Sequence, residues 1–359
     1  MISFDSSGWE YVRQRHEGWW ERKNKTPLAG AAVQKEGVRV QTPLTQANCH
    51  DLSKKAEDIA REIEVYLASF EYYGDAYPYY NMACFGPGVL AAMLGAELDN
   101  STGRVWFRPV EIKEISEMHF SFDPDNVWFC RIRDLYHACV KRLGGRGIVS
   151  MVDLGGILDI LSTFRPGELL LYDLYDSPEE VLRLIKEAEA AWYRVYSELA
   201  AASECERYGY TDWTSILSSK PSYVTQCDFS YMIGPDMFKT FVHDTLKRDC
   251  DRLERVIYHL DGPGQLIHTD SLFGIEKLDC VQWVPGAGNP TCENYPDLYR
   301  EIVGAGKLIN LGSGNYSVIA ALCEQTQKPG AISSHQVTTG HGQKQNIIDG
   351  LKMLGVVSD

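Results

Sequence analysis

From residue 223 to the C-terminus, short apolar runs alternate with amphipathic stretches. The runs are 223–229, 255–261, 278–284, 307–311 and 331–337, and Gly/Pro breaks such as Gly262-Pro263-Gly264 and Pro285-Gly286 follow them. The intervening segments 236–254, 268–273, 295–305, 317–327 and 343–354 read as helices. Strands separated by helices call for a parallel sheet, because each crossover must return the chain to the same end of the sheet. Three earlier segments, 80–85, 148–153 and 214–218, have the same strand character. The total of eight predicts an α/β fold of the (β/α)8 TIM barrel class, with a doubly wound open sheet as the alternative.

Residues 1–70 read as an N-terminal helical extension, with helical spacing over 52–70, and 71–359 as the barrel. Asn100-Ser101-Thr102-Gly103 is a turn signal leading into 104–108, which predicts an inserted hairpin near 95–110. Ser177-Pro178-Glu179-Glu180 predicts a helix start with a capping box, and that helix extends to about residue 207.

Within this frame the run ending His259-Leu260-Asp261 is the most informative. Side chains two apart on a strand share a face, so an imidazole and a carboxylate project together from one strand end. Such a pair can bind a metal, hold a proton or grip a polar substrate; it can equally be a hydrogen-bonded pair closing a buried turn. In a barrel the C-terminal strand ends form the active face. The candidates there are Gln226 and Asp228, His259 and Asp261, Gln282 or Trp283, then Asn310, Ser313 and Asn315, with His335 on the last strand. Each has a structural alternative. Asp228 can cap the following helix, Trp283 can be a packing residue rather than a flat wall for a ligand, Cys227 reads as core, and His335 and His341 can be loop histidines without a role.

Composition removes other classes. The 359 residues carry 35 basic and 49 acidic side chains, a formal charge of −14, with no basic cluster interleaved with aromatics; this argues against a nucleic-acid partner. No run reaches the roughly 18 apolar residues of a membrane span, and the N-terminus lacks a basic-then-apolar secretory pattern. A cytoplasmic protein with no membrane partner is expected, its ten scattered cysteines reduced. Neither Gly286-Ala287-Gly288 nor Gly312-Ser313-Gly314 completes a dinucleotide fingerprint, and no phosphate-loop or nucleophile-elbow motif is present.

The segment from Cys227 to Phe238, the strand Ile257-Tyr258-His259-Leu260-Asp261-Gly262 after it, and Ser177-Pro178-Glu179-Glu180 resemble the uroporphyrinogen decarboxylase superfamily over about residues 70–355. The resemblance independently implies a (β/α)8 barrel, a fold whose members can form homodimers. The arginine-bearing N-terminal segment that grips porphyrinogen carboxylates in the true decarboxylases is absent. The chain is closer to the corrinoid-dependent methyltransferase-like members, which carry a zinc site with a His-x-Cys pair on this strand and a later cysteine. Here the pair is His259 and Asp261, and the region of the later ligand offers His335 and His341. The resemblance thus implies zinc held by His259, Asp261 and His335. It implies a methyl group moved from a small methoxy or methylamine substrate to a corrinoid. No cobalamin-binding Asp-x-His-x-x-Gly segment is present, so the corrinoid would arrive on a partner protein. In this reading His259, Asp261 and Asp228 are catalytic, and Gln226, Gln282, Trp283 and Asn310 bind substrate. One alternative is a metal-free decarboxylase or lyase in which His259, Asp261 and Asp228 transfer protons; another is a non-catalytic ligand-binding barrel.

Overall fold

The computed structural model describes residues 1–312, 314–338 and 343–357. Ser313 and His341 lie outside them. Its strands are β1 (Leu28–Gln34), β2 (Phe70–Gly74), β3 (Tyr79–Tyr80), β4 (Glu97–Asp99), β5 (Trp106–Arg108), β6 (Ile148–Val149), β7 (Ser222–Gln226), β8 (Arg255–Asp261), β9 (Cys280–Val284), β10 (Leu308–Leu311) and β11 (Ile332–Thr338). Seven form one mostly parallel sheet in the order β2-β1-β11-β10-β9-β8-β7, in which only β2 runs antiparallel to its neighbour. β3 and β6 make a separate short parallel pair, and β4 and β5 an antiparallel hairpin. The architecture is mixed α/β, and the described strands form no continuous closed ladder.

The second half follows the sequence closely. β8 spans the expected seven residues, helices Pro296–Gly304 and Tyr316–Thr326 separate the later strands, and Lys344–Met353 follows the last one. The hairpin lies where the turn signal put it. The first half departs more. The N-terminal 70 residues are not an all-helical extension, because β1 sits inside the main sheet between β2 and β11. Its sequence, Leu-Ala-Gly-Ala-Ala-Val-Gln, is buried throughout, so it shows neither alternation nor β-branched enrichment. The small residues have a steric reason: a Cβ on Gly30 would sit 2.2 Å from the Ala76 backbone nitrogen. Residues 214–218 form no strand and contribute a single bridge, Tyr210 to Ser218. The long helix runs Pro178–Ala202, and Ser177 makes no side-chain capping bond; Glu180 instead accepts from Arg183.

The register stacks one face of the sheet in layers, since directly paired residues of parallel strands point the same way. Val224, Ile257, Cys280 and Leu308 form an apolar layer near the N-terminal strand ends. Trp19 and Trp20, at the end of the helix Ser6–Trp20, pack against that layer. Their indole N–H groups donate to the Ala331 and Leu217 carbonyls. Two residues further along, the same face carries Gln226, His259, Gln282 and Asn310. The other face, with Tyr258, Leu260, Val281, Trp283 and Ile309, belongs to the main hydrophobic core with Leu298, Tyr299 and Ile302 of the flanking helix. The N-terminal helix thus plugs the sheet's base, leaving the polar layer to open toward the C-terminal strand ends.

Candidate metal centre

Three side chains converge at that end. Asp228, His259 and Asp261 each offer one ligand atom, and the three atoms lie within 4.8 Å of one another. His259 and Asp261 reach this point by strand parity on β8. Asp228 comes by a different route: β7 stops at Gln226, and Asp228 opens a 3-10 turn, Asp228–Met232. It does not cap the following helix. Its backbone N–H donates to Asp159 Oδ2 at 3.0 Å, and that of Phe229 to Asp159 Oδ1 at 2.7 Å.

Asp159 therefore sets the turn that presents Asp228, a role the sequence did not reveal. It lies in the first turn of helix Ile157–Phe164, where an acid looks like an ordinary complement to the helix dipole. The helix can approach β7 because residue 156 is glycine: a Cβ there would lie 2.1 Å from the Gln226 carbonyl oxygen.

His259 Nδ1 is 2.7 Å from Gln282 Oε1, which leaves Nε2 for the carboxylate side. Trp213 stands edge-on to the imidazole, ring centroids 6.3 Å apart. Burial raises the Asp228 carboxyl above its ordinary value; nearby His259 opposes the shift and Asp261 adds to it. The two acids behind it are pushed further. Burial raises Asp159 to about 7, with Asp228 adding repulsion, and raises Asp153 to about 8. Carboxylates gathered this closely repel one another, so a cation among them would bind favourably.

A cleft of about 980 Å³ opens beside Asp228. Asp159 and Phe229 line it, Tyr231 and Met232 form one side, and the β4–β5 arm brings Trp106 and Arg108 over it. Arg108 is paired with Asp99.

The chain is similar in structure to a methyltransferase from Methanosarcina mazei. The TM-score is 0.60 at 11% identity, over 96% of this chain and 97% of that one. At this identity the likeness establishes a shared fold. No protein-family model matches the sequence, and no curated protein does.

The other candidates separate from the cluster. His335 points elsewhere: its ring lies 5.4 Å from that of His16, and its Nε2 is 3.4 Å from the Asp75 carbonyl oxygen. Trp283 cannot wall the pocket, because it pairs with Leu260 rather than His259 and so faces the helices, edge-on to Tyr295. Gln282 and Asn310 share the face of His259 but are buried and bonded to each other. Gln226 is buried and borders the cleft. Asn315 caps helix Tyr316–Thr326. Cys227 is core, and none of the ten cysteines is paired. No helix among the described residues is long and apolar enough to cross a membrane.

Proposed function

We propose that this protein is a methyltransferase that moves a methyl group from a small methylated substrate to a corrinoid carried by a partner protein, assisted by zinc. The observation that carries the metal assignment is the convergence of Asp228, His259 and Asp261 within 4.8 Å. One imidazole nitrogen and two carboxylate oxygens suit zinc, and three protein ligands leave a position for substrate, as in catalytic zinc sites. Asp228 takes the place in the ligand set that the sequence reading assigned to His335. When bound, zinc would supply Lewis acidity at the heteroatom bearing the methyl group. Asp159 would hold Asp228 in position through the turn backbone.

The fold likeness to a methyltransferase supports the reaction class. We read the main sheet and the β3–β6 pair as arcs of one (β/α)8 barrel. Supporting this, Asp75 N–H donates to the Ala29 carbonyl, Ile148 N–H to that of Pro78, and Met151 N–H to that of Thr211. The cleft favours a methylated amine, whose nitrogen keeps the lone pair that zinc would take, over an anionic methoxylated acid. Trp106 and Tyr231 offer aromatic surface for the methyl groups, and the one guanidinium on the lining, which an anionic acid would need, is already paired. Trp106, Val110, Ile112, Tyr231 and Met232 are exposed around the mouth; a corrinoid protein approaching the site would cover them.

The test is methyl transfer from methylated amine and methoxy compounds to a reduced corrinoid, followed by visible absorbance, with zinc-loaded wild type and His259→Ala. Turnover in the wild type alone supports the proposal. Zinc binding without transfer from any methyl donor would remove the methyltransferase reading. A metal-free lyase is the second reading, favoured by the proton-holding acids Asp153 and Asp159 behind the cluster. Decarboxylation that survives saturating chelator would select it.

A further inference from the structure

A chain of buried side-chain hydrogen bonds leads away from His259 across three neighbouring strands. Gln282 Oε1 on β9 is 2.7 Å from His259 Nδ1, Gln282 Nε2 donates to Asn310 Oδ1 on β10 at 2.6 Å, and Asn310 Nδ2 donates to Ser333 Oγ on β11 at 3.0 Å. Ser333 Oγ in turn donates to the Ile309 carbonyl at 3.2 Å. Gln282, Asn310 and Ser333 are all at most 2% exposed.

The far end sets the direction. A main-chain carbonyl can only accept, so the Ser333 hydroxyl proton is spent on Ile309 and its oxygen accepts from Asn310. Asn310 then presents its carbonyl oxygen to Gln282, whose NH2 is consumed there. Gln282 can offer His259 only an oxygen, so Nδ1 must carry the proton. Turning over one amide alone would place NH2 against NH2 or oxygen against oxygen in a buried layer, costing about 1–3 kcal/mol for each group left unpaired, and turning both over together would take the Ser333 hydroxyl away from Ile309.

We propose that Gln282 and Asn310 are positioning residues: they lock His259 in its Nδ1-protonated form and hold the Nε2 lone pair toward Asp228 and Asp261. Both side chains are buried behind the imidazole. An imidazole fixed in this way is a ready ligand or proton acceptor, because no tautomer exchange precedes binding. The consequence for zinc affinity rests on the metal reading above; the tautomer itself does not.

Long-range proton–nitrogen correlation spectra of the metal-free, 15N-labelled full chain at pH 8 read the tautomer directly, with the His259 ring assigned by its loss in His259→Gln. The expected spectrum shows a protonated Nδ1 and an unprotonated Nε2. A protonated Nε2, or a mixture of the two forms, overturns the proposal without involving any variant of the relay. Asn310→Leu frees the Gln282 amide to rotate, and the His259 signals should then shift toward a mixture while zinc affinity falls roughly 10- to 100-fold. A folded Asn310→Leu protein that keeps the pure tautomer would show that the relay does not set it, and would also overturn the proposal. If the wild-type tautomer is as expected but zinc does not bind, the relay stands and the metal reading fails.

Discussion

Two of the histidine–carboxylate assemblies among the described residues differ in what their atoms are free to do. In the first, His16 is fully buried: Nδ1 accepts from the Leu217 N–H at 2.9 Å, and Nε2 donates to the Asp75 carbonyl at 3.0 Å. The Asp75 carboxylate, also fully buried, takes Arg15 Nε at 2.8 Å and the Ala29 N–H at 2.9 Å. His335 leans on this group. The second is Asp228, His259 and Asp261, where the strand ends face solvent and His259 commits only its Nδ1. Residue types are nearly the same in both. What distinguishes a binding site from a structural knot is ligand atoms left over after the fold's own hydrogen bonds are made, together with a path to solvent.

The contrast can be broken most forcefully at the sealed assembly. Asp75→Ala strands a largely buried guanidinium and should cost about 3–5 kcal/mol in denaturant unfolding, while zinc stoichiometry of the folded fraction stays at the wild-type value. Trp283→Ala should be comparably destabilising, about 3–5 kcal/mol. Because the indole faces the helices, the substrate KM of the surviving enzyme should not move; a several-fold rise in KM would return Trp283 to the pocket wall.

A smaller effect sharpens the comparison by pH. Burial holds the His16 pKa well below its ordinary value, with His335 adding to the shift, and burial lowers His335 as well. Both rings take up protons at lower pH in the folded chain than in the unfolded chain, which does so below about pH 6.5. The unfolded state therefore binds more protons, and stability is lost as pH falls through that window. His16→Asn should lose less stability than the wild type between pH 7.5 and 5; equal losses would show that these rings are not the linked groups.

Legibility followed the same divide. The open site was half readable because β8 obeys a two-residue period and stops at Gly262-Pro263, which puts His259 and Asp261 side by side. Asp228 was legible as a catalytic candidate at a strand end, but its place as the third ligand needed geometry. Asp228 lies beyond the end of β7 and reaches the cluster through a turn held by Asp159, a contact across 69 residues of chain. Counting strand ends without their register placed Trp283 and Gln282 together, although neighbours on a strand face opposite ways. The sealed assembly was not readable as an assembly. Its parts come from the first helix, the segment after β2 and the last strand, and β1 beside them is built of alanine and glycine, which carry no strand signature. His335 was drawn into the metal set by its place on the last strand; it shares the sheet face of Asn310, but its ring packs beside His16 instead.

The most direct measurement is zinc content per chain, by elemental mass spectrometry after zinc loading and desalting, for wild type, His259→Ala and His335→Ala. The expected result is about one zinc in the wild type and in His335→Ala and none in His259→Ala, which should still fold cooperatively, its metal-free form losing about 1–3 kcal/mol because Gln282 Oε1 loses its partner. Zinc retained by His259→Ala, or lost from a folded His335→Ala, would contradict the assignment of the open cluster as the metal centre.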